Sequence, residues 1–508
     1  MPRAGRTLLA AALMAVLTPA AATDWRAKAS PHLLDQAKSG APLDVLLVLD
    51  GEPVLAYVDP RLPKAARGAA VVAQLQAAGA DARAAVVREL AARGAPVREL
   101  WIANAVATRL GPADLAAIGA LPAVVRIHAD RPFRADMPRT ESVQPKAAKA
   151  IEPSVARVRA PQAWALGARG QGVLVGAQDT GYQWDHPAVR DAYRGWNGSV
   201  ASHAYHWHGA IRVDIDGGSI PACMPNATSP CDDNGHGTHT LGTVLGDDGG
   251  ANQIGVAPDA QWIGCRNMDA GTGRPSTYIE CFQFFLAPTD ANGANPRPDL
   301  APDIITNSWG CPVGPPPAGE DCALASFDAT LSALRTAGIL VVVAAGNGSP
   351  NCGSIATPPA ISADVFTVGS TANADVLSSF SLVGPVAVDG SGRLKPDVVA
   401  PGSGVRSATP GNSYGIKSGT SMATPNVAGV AALLISANPA LRGDVPALEA
   451  ILRETAQPLN PPGLSCAPYA ATDHPNPIYG WGRVDALAAV QRAIAEAPMF
   501  RNGFEPAP

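Results

Sequence analysis

Three short stretches hold residue types that could do chemistry together. "AQDTGYQWDHP" carries Asp179, "DDNGHGTHTLGTV" carries His236 and His239, and "SGTSMATPNVAG" carries Ser421. A serine hydroxyl is a weak nucleophile until a base takes its proton. Imidazole is such a base near neutral pH, and a carboxylate beside it holds its tautomer and stabilises the imidazolium that forms. Ser421 follows Gly419 and Thr420 and precedes the apolar positions Val427, Val430, Leu433 and Leu434, the pattern of a buried helix. Pro425 is tolerable only near that helix's start. Ser421 is therefore expected at a helix N-terminus, where a backbone N–H and the helix dipole favour an oxyanion. Asn347 in "AAGNG" offers a second donor. Singly, each has an ordinary explanation: a serine N-cap, an aspartate at a turn, an asparagine between two glycines. His239 reads as a structural histidine. Four such residues together would need four coincidences.

The elements that must position them are legible from hydrophobic runs. "QGVLVGAQDTG" reads as a strand ending at Asp179, "DIITNSWG" as one ending near Ser308, "GILVVVAAGNG" as one ending at Asn347, and "DVFTVGST" as a fourth. Continuous apolar strands separated by helical stretches predict an α/β domain: a mostly parallel central sheet with helices on both faces. Such sheets place their sites just past the strand ends. This domain is expected over residues 155–495, with 496–508 a short unassigned tail. Residues 23–135 contain no cysteine. "DVLLVLD" reads as a strand, 65–94 as one or two alanine-rich helices, Val97 to Leu110 as containing a strand, "GPADLAAIGAL" as a short helix and "AVVRIHAD" as a last strand. That alternation predicts a small α+β domain. Residues 136–154 are polar and read as an exposed linker open to nicking.

Composition narrows the class. Of 508 residues 47% are hydrophobic and 16% charged, and the formal net charge is −5, which suits a large globular core and argues against nucleic-acid binding. Arg3 and Arg6, the apolar run Leu8 to Leu17 and the small residues Ala20 to Ala22 have the layout of a signal peptide over residues 1–22. No later segment predicts a membrane span. The eight cysteines all lie between 223 and 466, and an even count in an exported chain suggests disulfides. Short separations favour Cys223–Cys231, Cys265–Cys281 and Cys311–Cys322, with Cys352–Cys466 as the remainder, although sequence alone leaves about a hundred pairings open.

The stretches around Asp179, His236, Asn347 and Ser421, in that order, resemble those of the subtilisin-like serine proteases, and the resemblance covers about residues 155 to 495. "GAQDTGYQWDHPAVRDAYRGWNG" and "NQIGVAPDAQWIGCRNM" are similar to the bacillopeptidase F branch. The resemblance implies a serine endopeptidase with Asp179 as orienting acid, His236 as base, Ser421 as nucleophile, and Asn347 with the Ser421 amide as oxyanion donors. It implies that Ser308, Trp309 and Gly310 pair with the substrate backbone and form one pocket wall, with Ala344, Ala345 and Gly346 as the other. No acidic residue is placed at the pocket base, so apolar, bulky or broad selectivity is expected. The amino-terminal domain resembles an inhibitor-like propeptide, which implies a zymogen whose own propeptide acts as chaperone and inhibitor until cut within 136–154. Protein or peptide substrates, a secreted monomer and no cofactor for the chemistry complete the expectation. Two departures stand out. Asn426 replaces a common histidine. Ala188 stands where many of these enzymes place a calcium-ligating aspartate, leaving the turn Asp247 to Gln253 as a calcium candidate. An esterase or ligase with the same triad, or a binding protein on an inactive fold, are the competing readings.

Overall fold

The computed structural model describes residues 24–497 apart from 52–54, 136, 139–140, 145–149, 216, 218–219, 221–222, 312–323, 373, 462 and 471. The expected signal peptide and nearly all of the tail lie outside the described residues.

The amino-terminal domain opens with helix α1 (Pro31–Ala37), capped by the Ser30 hydroxyl, and strand β1 (Leu43–Leu49). Helices α2 (Lys64–Ala77) and α3 (Ala80–Ala92), strands β2 (Arg98–Leu100) and β3 (Ala105–Leu110), α4 (Pro112–Gly119) and β4 (Val124–Ala129) follow. The strands form an antiparallel sheet in the order β2-β3-β1-β4. Strand alternation gives β1 two apolar faces. Val45, Leu47 and Leu49 pack with α3 and α4 in the domain's own core, whereas Leu46 joins residues of the large domain. The stretch Val97 to Leu110, expected to contain a strand, holds two strands broken at Asn104. That residue takes a left-handed φ of 45° and its amide donates to the carbonyls of Leu49, Asp50 and Gly51.

Two short strands follow, β5 (Phe133–Arg134) and β6 (Ser142–Gln144), then β7 (Ala150–Ile151), α5 (Pro153–Arg157) and α6 (Ala160–Trp164). The expected exposed linker is therefore docked in part. β6 pairs with a strand of the large domain and β7 with β10 (Asn252–Gln253). Strand addition uses backbone groups that every sequence has, so a polar stretch can join a sheet without a hydrophobic signature.

The large domain is built on seven parallel strands: β8 (Leu174–Asp179), β9 (Trp207–Gly209), β11 (Gln261–Arg266), β14 (Ile304–Asn307), β15 (Leu340–Ala344), β16 (Phe366–Thr371) and β17 (Val398–Pro401). Their order is β17-β16-β15-β14-β8-β11-β9. The direction of build-up reverses at β8 and β14, the crevice where such sheets bind ligands. Helix α7 (His236–Leu245) and the core helix α10 (Thr420–Ala437) pack together with α12 (Ala486–Ala495) on one side, and α11 (Val445–Glu454) packs against α10 and α12. Helices α8 (Pro275–Leu286) and α9 (Leu324–Thr336) cover the opposite face. Among the described residues α10 is the one helix long and apolar enough to cross a membrane, and it is buried in the core. The hairpin β12 (Met268–Asp269) and β13 (Thr272–Gly273) and the hairpin β18 (Val405–Thr409) and β19 (Ser413–Lys417) flank the site. β5 adds to β13 and β6 to β19. Disulfides join Cys223 to Cys231, Cys265 to Cys281 and Cys352 to Cys466. Cys311 is also disulfide-bonded, and its expected partner Cys322 lies outside the described residues.

The small domain docks on α8 and α9. Asp130 caps α8, accepting from the Ser276 amide at 2.9 Å and its hydroxyl at 2.6 Å. Lys64 reaches Asp303 at 3.3 Å, and Arg98 reaches Glu280 at 3.1 Å. Val71, Val72 and Leu75 of α2, with Leu100 and Ile102, enter the same apolar cluster as α8 and α9.

Candidate active site

Asp179 ends β8 and His236 opens α7, and the fold brings them together. Asp179 Oδ1 lies 2.7 Å from His236 Nδ1 and also accepts from the Thr180 amide. Both side chains are almost wholly enclosed. A carboxylate on Nδ1 places the proton there and leaves Nε2 as the free basic atom. His236 Nε2 is buried without a hydrogen-bond partner among the described residues. His239 is three residues on in α7. Its Nε2 lies 3.0 Å from Gly415 O and 3.1 Å from Val405 O, and burial, with Lys417 nearby, holds it neutral.

Ser421 is the second residue of α10. Pro425, four positions on, has no N–H to give to the Ser421 carbonyl. The Ser308 hydroxyl donates to that carbonyl instead, at 3.0 Å. This accounts for a proline so close to the helix start. The Ser421 hydroxyl in turn donates to the Ser308 carbonyl at 3.0 Å, so it points along the cleft wall and not to His236. Asn347 follows β15. Its Oδ1 accepts from the Thr420 amide at 2.9 Å and hydroxyl at 3.0 Å, which fixes the amide and turns Nδ2 toward Gly419.

A cleft of about 180 Å³ opens beside Ser421. Ser308, Trp309, Gly310, Ala344, Gly346 and Asn347 line it with Ser421. Ala345, expected in the second wall, is instead fully buried, because alternate residues of an extended chain face opposite ways. Thr357 also lines the cleft and was not foreseen. It arrives from a loop far away in sequence, and a lone threonine carries no motif. The Trp309 ring stacks on Tyr278 at 3.8 Å, and both share a cluster with Phe133.

The cleft is shared with the chain's own amino-terminal segment. Phe133 and Arg134 pair antiparallel with β13, and the Ala135 amide donates to Gly271 O at 2.9 Å. Ala135 and Met137 line the cleft with Ser421, and Pro138 packs over Gly419, where an added Cβ would lie 2.7 Å from its Cγ. Ser421 is accordingly 4% exposed. The β12–β13 edge that receives this segment is tied by Arg266 to the loop that leads into α7 and His236. Its buried guanidinium bonds Asp269 at 2.6 Å and also Asp233, whose carboxyl burial pushes up to about 7.

The sequence model of the Subtilase family matches residues 170–482, more than half of the chain. The chain belongs to the subtilase family. It is 39% identical to bacillopeptidase F of Bacillus subtilis (strain 168) over 356 residues, which are 68% of this chain and 22% of that protein. It is 31% identical to the major intracellular serine protease of the same organism, over 55% of this chain and 73% of that one, and 28% identical to subtilisin E over 58% and 63%. The chain thus spans only about a fifth of bacillopeptidase F.

This subtilase's calcium candidate does not fit a cation. Asp248 Oδ1 accepts from the amides of Gly250 and Asn252, and its Oδ2 accepts from the Asn252 side chain and the Tyr414 hydroxyl, while Asp247 accepts from the Gly249 amide. Ala188 is buried and offers no side-chain oxygen. Among the described residues no group of three His, Cys, Asp or Glu is set to hold a metal. Asn426 donates to Pro401 O and Met422 O inside the core.

Proposed function

We propose that the chain is an exported serine endopeptidase made as an inactive precursor. The observations that carry this reading are the Asp179–His236 pair, whose Nε2 is left without a partner among the described residues, and a serine at the start of α10 covered by the chain's own Ala135, Met137 and Pro138. In the reaction the Ser421 hydroxyl leaves the Ser308 carbonyl and turns to His236 Nε2. As Oγ bonds to the substrate carbonyl carbon, Nε2 takes its proton and Asp179 stabilises the imidazolium. Asn347 Nδ2 and the Ser421 amide receive the oxyanion. The carbon–nitrogen bond then breaks, and His236 returns the proton to the departing amine. Water, deprotonated by the same imidazole, releases the acyl group and restores the serine.

The acyl half of a substrate would occupy the track now held by Phe133–Ala135, as a strand added to β13. An apolar side chain would enter the cleft bounded by Ala344, Gly346 and Thr357. The amino-terminal domain serves as folding template and inhibitor. A template suits a parallel sheet whose strands are far apart in sequence and slow to meet. Maturation cuts within 136–154, and residues 1–22 direct export.

A fluorophosphonate probe on the purified, secreted protein, read by peptide mass spectrometry, tests this. The expected result is label on Ser421 and a new amino terminus within 136–154. A folded, processed chain that takes no label would overturn the nucleophile.

A further inference from the structure

Lys417 ends β19, four residues before Ser421. The residue is 2% exposed, yet no carboxylate is bonded to its ammonium among the described residues. Among the described residues its one hydrogen bond goes to the carbonyl of Pro138, at 3.3 Å. Burying an ammonium without a counter-ion is costly, and burial depresses its pKa, with Asp232 and Asp179 opposing. A cation in this position needs a reason, and the hydrogen-bond acceptor it has among the described residues belongs to the segment that crosses the site.

The path of that segment says which side of the site Lys417 serves. The chain enters on β13 at Phe133–Arg134, shares the cleft with Ser421 at Ala135 and Met137, passes Gly419 at Pro138 and continues as β6 along β19. The Glu141 amide donates to Ile416 O, next to Lys417. The direction is that of a peptide whose acyl half lies on β13 and whose departing half lies on β19. On the reading proposed above, on which this inference rests, removal of the segment takes away the hydrogen-bond acceptor that Lys417 has among the described residues and leaves its ammonium, with no carboxylate bonded to it there, beside the groove after the nucleophile.

We propose that Lys417 is a specificity determinant of the cleavage, selecting peptides that carry an aspartate or glutamate within the first residues after the scissile bond. A carboxylate there supplies a directly bonded counter-charge in a poorly hydrated position, where charge-assisted hydrogen bonds are strong. The backbone of the same departing stretch can pair with β19 as β6 does. A lysine or arginine at that place would meet a like charge and be disfavoured.

The test uses the processed enzyme and internally quenched peptides that share one acyl half and differ only in the residues after the cut. One peptide carries a glutamate there and another a lysine. The readout is the ratio of kcat/KM for the two within each enzyme form, which cancels any general loss of activity. The wild type is expected to favour the acidic peptide by about tenfold or more, as befits a charge-assisted bond. K417R keeps the preference, K417Q removes it and K417E reverses it. Hydrolysis of a peptide nitroanilide, which has no residue after the cut, reports the protease reading separately. Its absence would overturn that reading and this one together. Its presence, with equal ratios in wild type and K417Q, would overturn the role of Lys417 alone.

Discussion

His128 offers the most quantitative prediction. It lies on β4, opposite Leu46 of β1, and borders a cavity of about 400 Å³ between the small domain's sheet and Ile279 of α8 and Ala329 of α9. The ring is 6% exposed and Nδ1 has no partner among the described residues. Burial, with Arg126 nearby, lowers its pKa from 6.5 to about 4. A base whose pKa is depressed in the folded state favours that state when neutral. Its contribution is therefore intact above pH 6.5 and is lost as pH falls through the window from 6.5 to 4. The full gap corresponds to about 3.4 kcal/mol. Between about pH 7.5 and about pH 4.5 the loss works out at roughly 2.5 kcal/mol. Urea denaturation of the Ser421→Ala precursor, with and without His128→Leu, at the two pH values measures it. The direct effect of the leucine cancels in the pH difference. The parent should lose about 2 to 3 kcal/mol more than the variant on acidification. Equal losses in both would show that His128 is not held neutral at this interface.

Three further outcomes follow from the site and its supports. Asn347→Ala should lower kcat by roughly 10²–10³, the size found for this donor in subtilisin, with little change in KM; steady-state kinetics on a peptide nitroanilide checks this, and a loss confined to KM would contradict the oxyanion role. Ser421→Ala should accumulate as a full precursor on denaturing gels, and normal maturation would refute self-processing. Replacing Cys352 and Cys466 by serine opens a loop of separation 114 and should cost about 2–5 kcal/mol in denaturation experiments.

How much of this was legible in the sequence depended on what kind of force places each residue. β8, β14, β15 and β16 were readable because strands buried on both faces need unbroken apolar runs. Asp179, His236, Asn347 and Ser421 stood out because their neighbours, small residues that let backbones approach, travel with them as motifs. The break at Asn104 was not readable, since the apolar pattern runs through it and the interruption is made by contacts to β1, more than fifty residues away. Thr357 and Lys417 were missed for a related reason: each takes its meaning from a partner segment that only the fold supplies. The orientation of the Ser421 hydroxyl toward Ser308 likewise depends on a rotamer, which no sequence pattern encodes.

Ser308 and Ser421 are bonded to each other twice, each hydroxyl donating to the other's carbonyl at 3.0 Å. The proline-freed carbonyl of Ser421 accepts one of these bonds, which does not involve the Ser421 hydroxyl. The spacing between Ser308 in the cleft wall and Ser421 is thus set locally, across a gap of 113 residues. Insertions or deletions in the surface loops of that stretch can accumulate over evolutionary time while the working distance stays the same. The same clasp gives a design rule: new loops can be grafted between these two serines so long as Pro425 is kept.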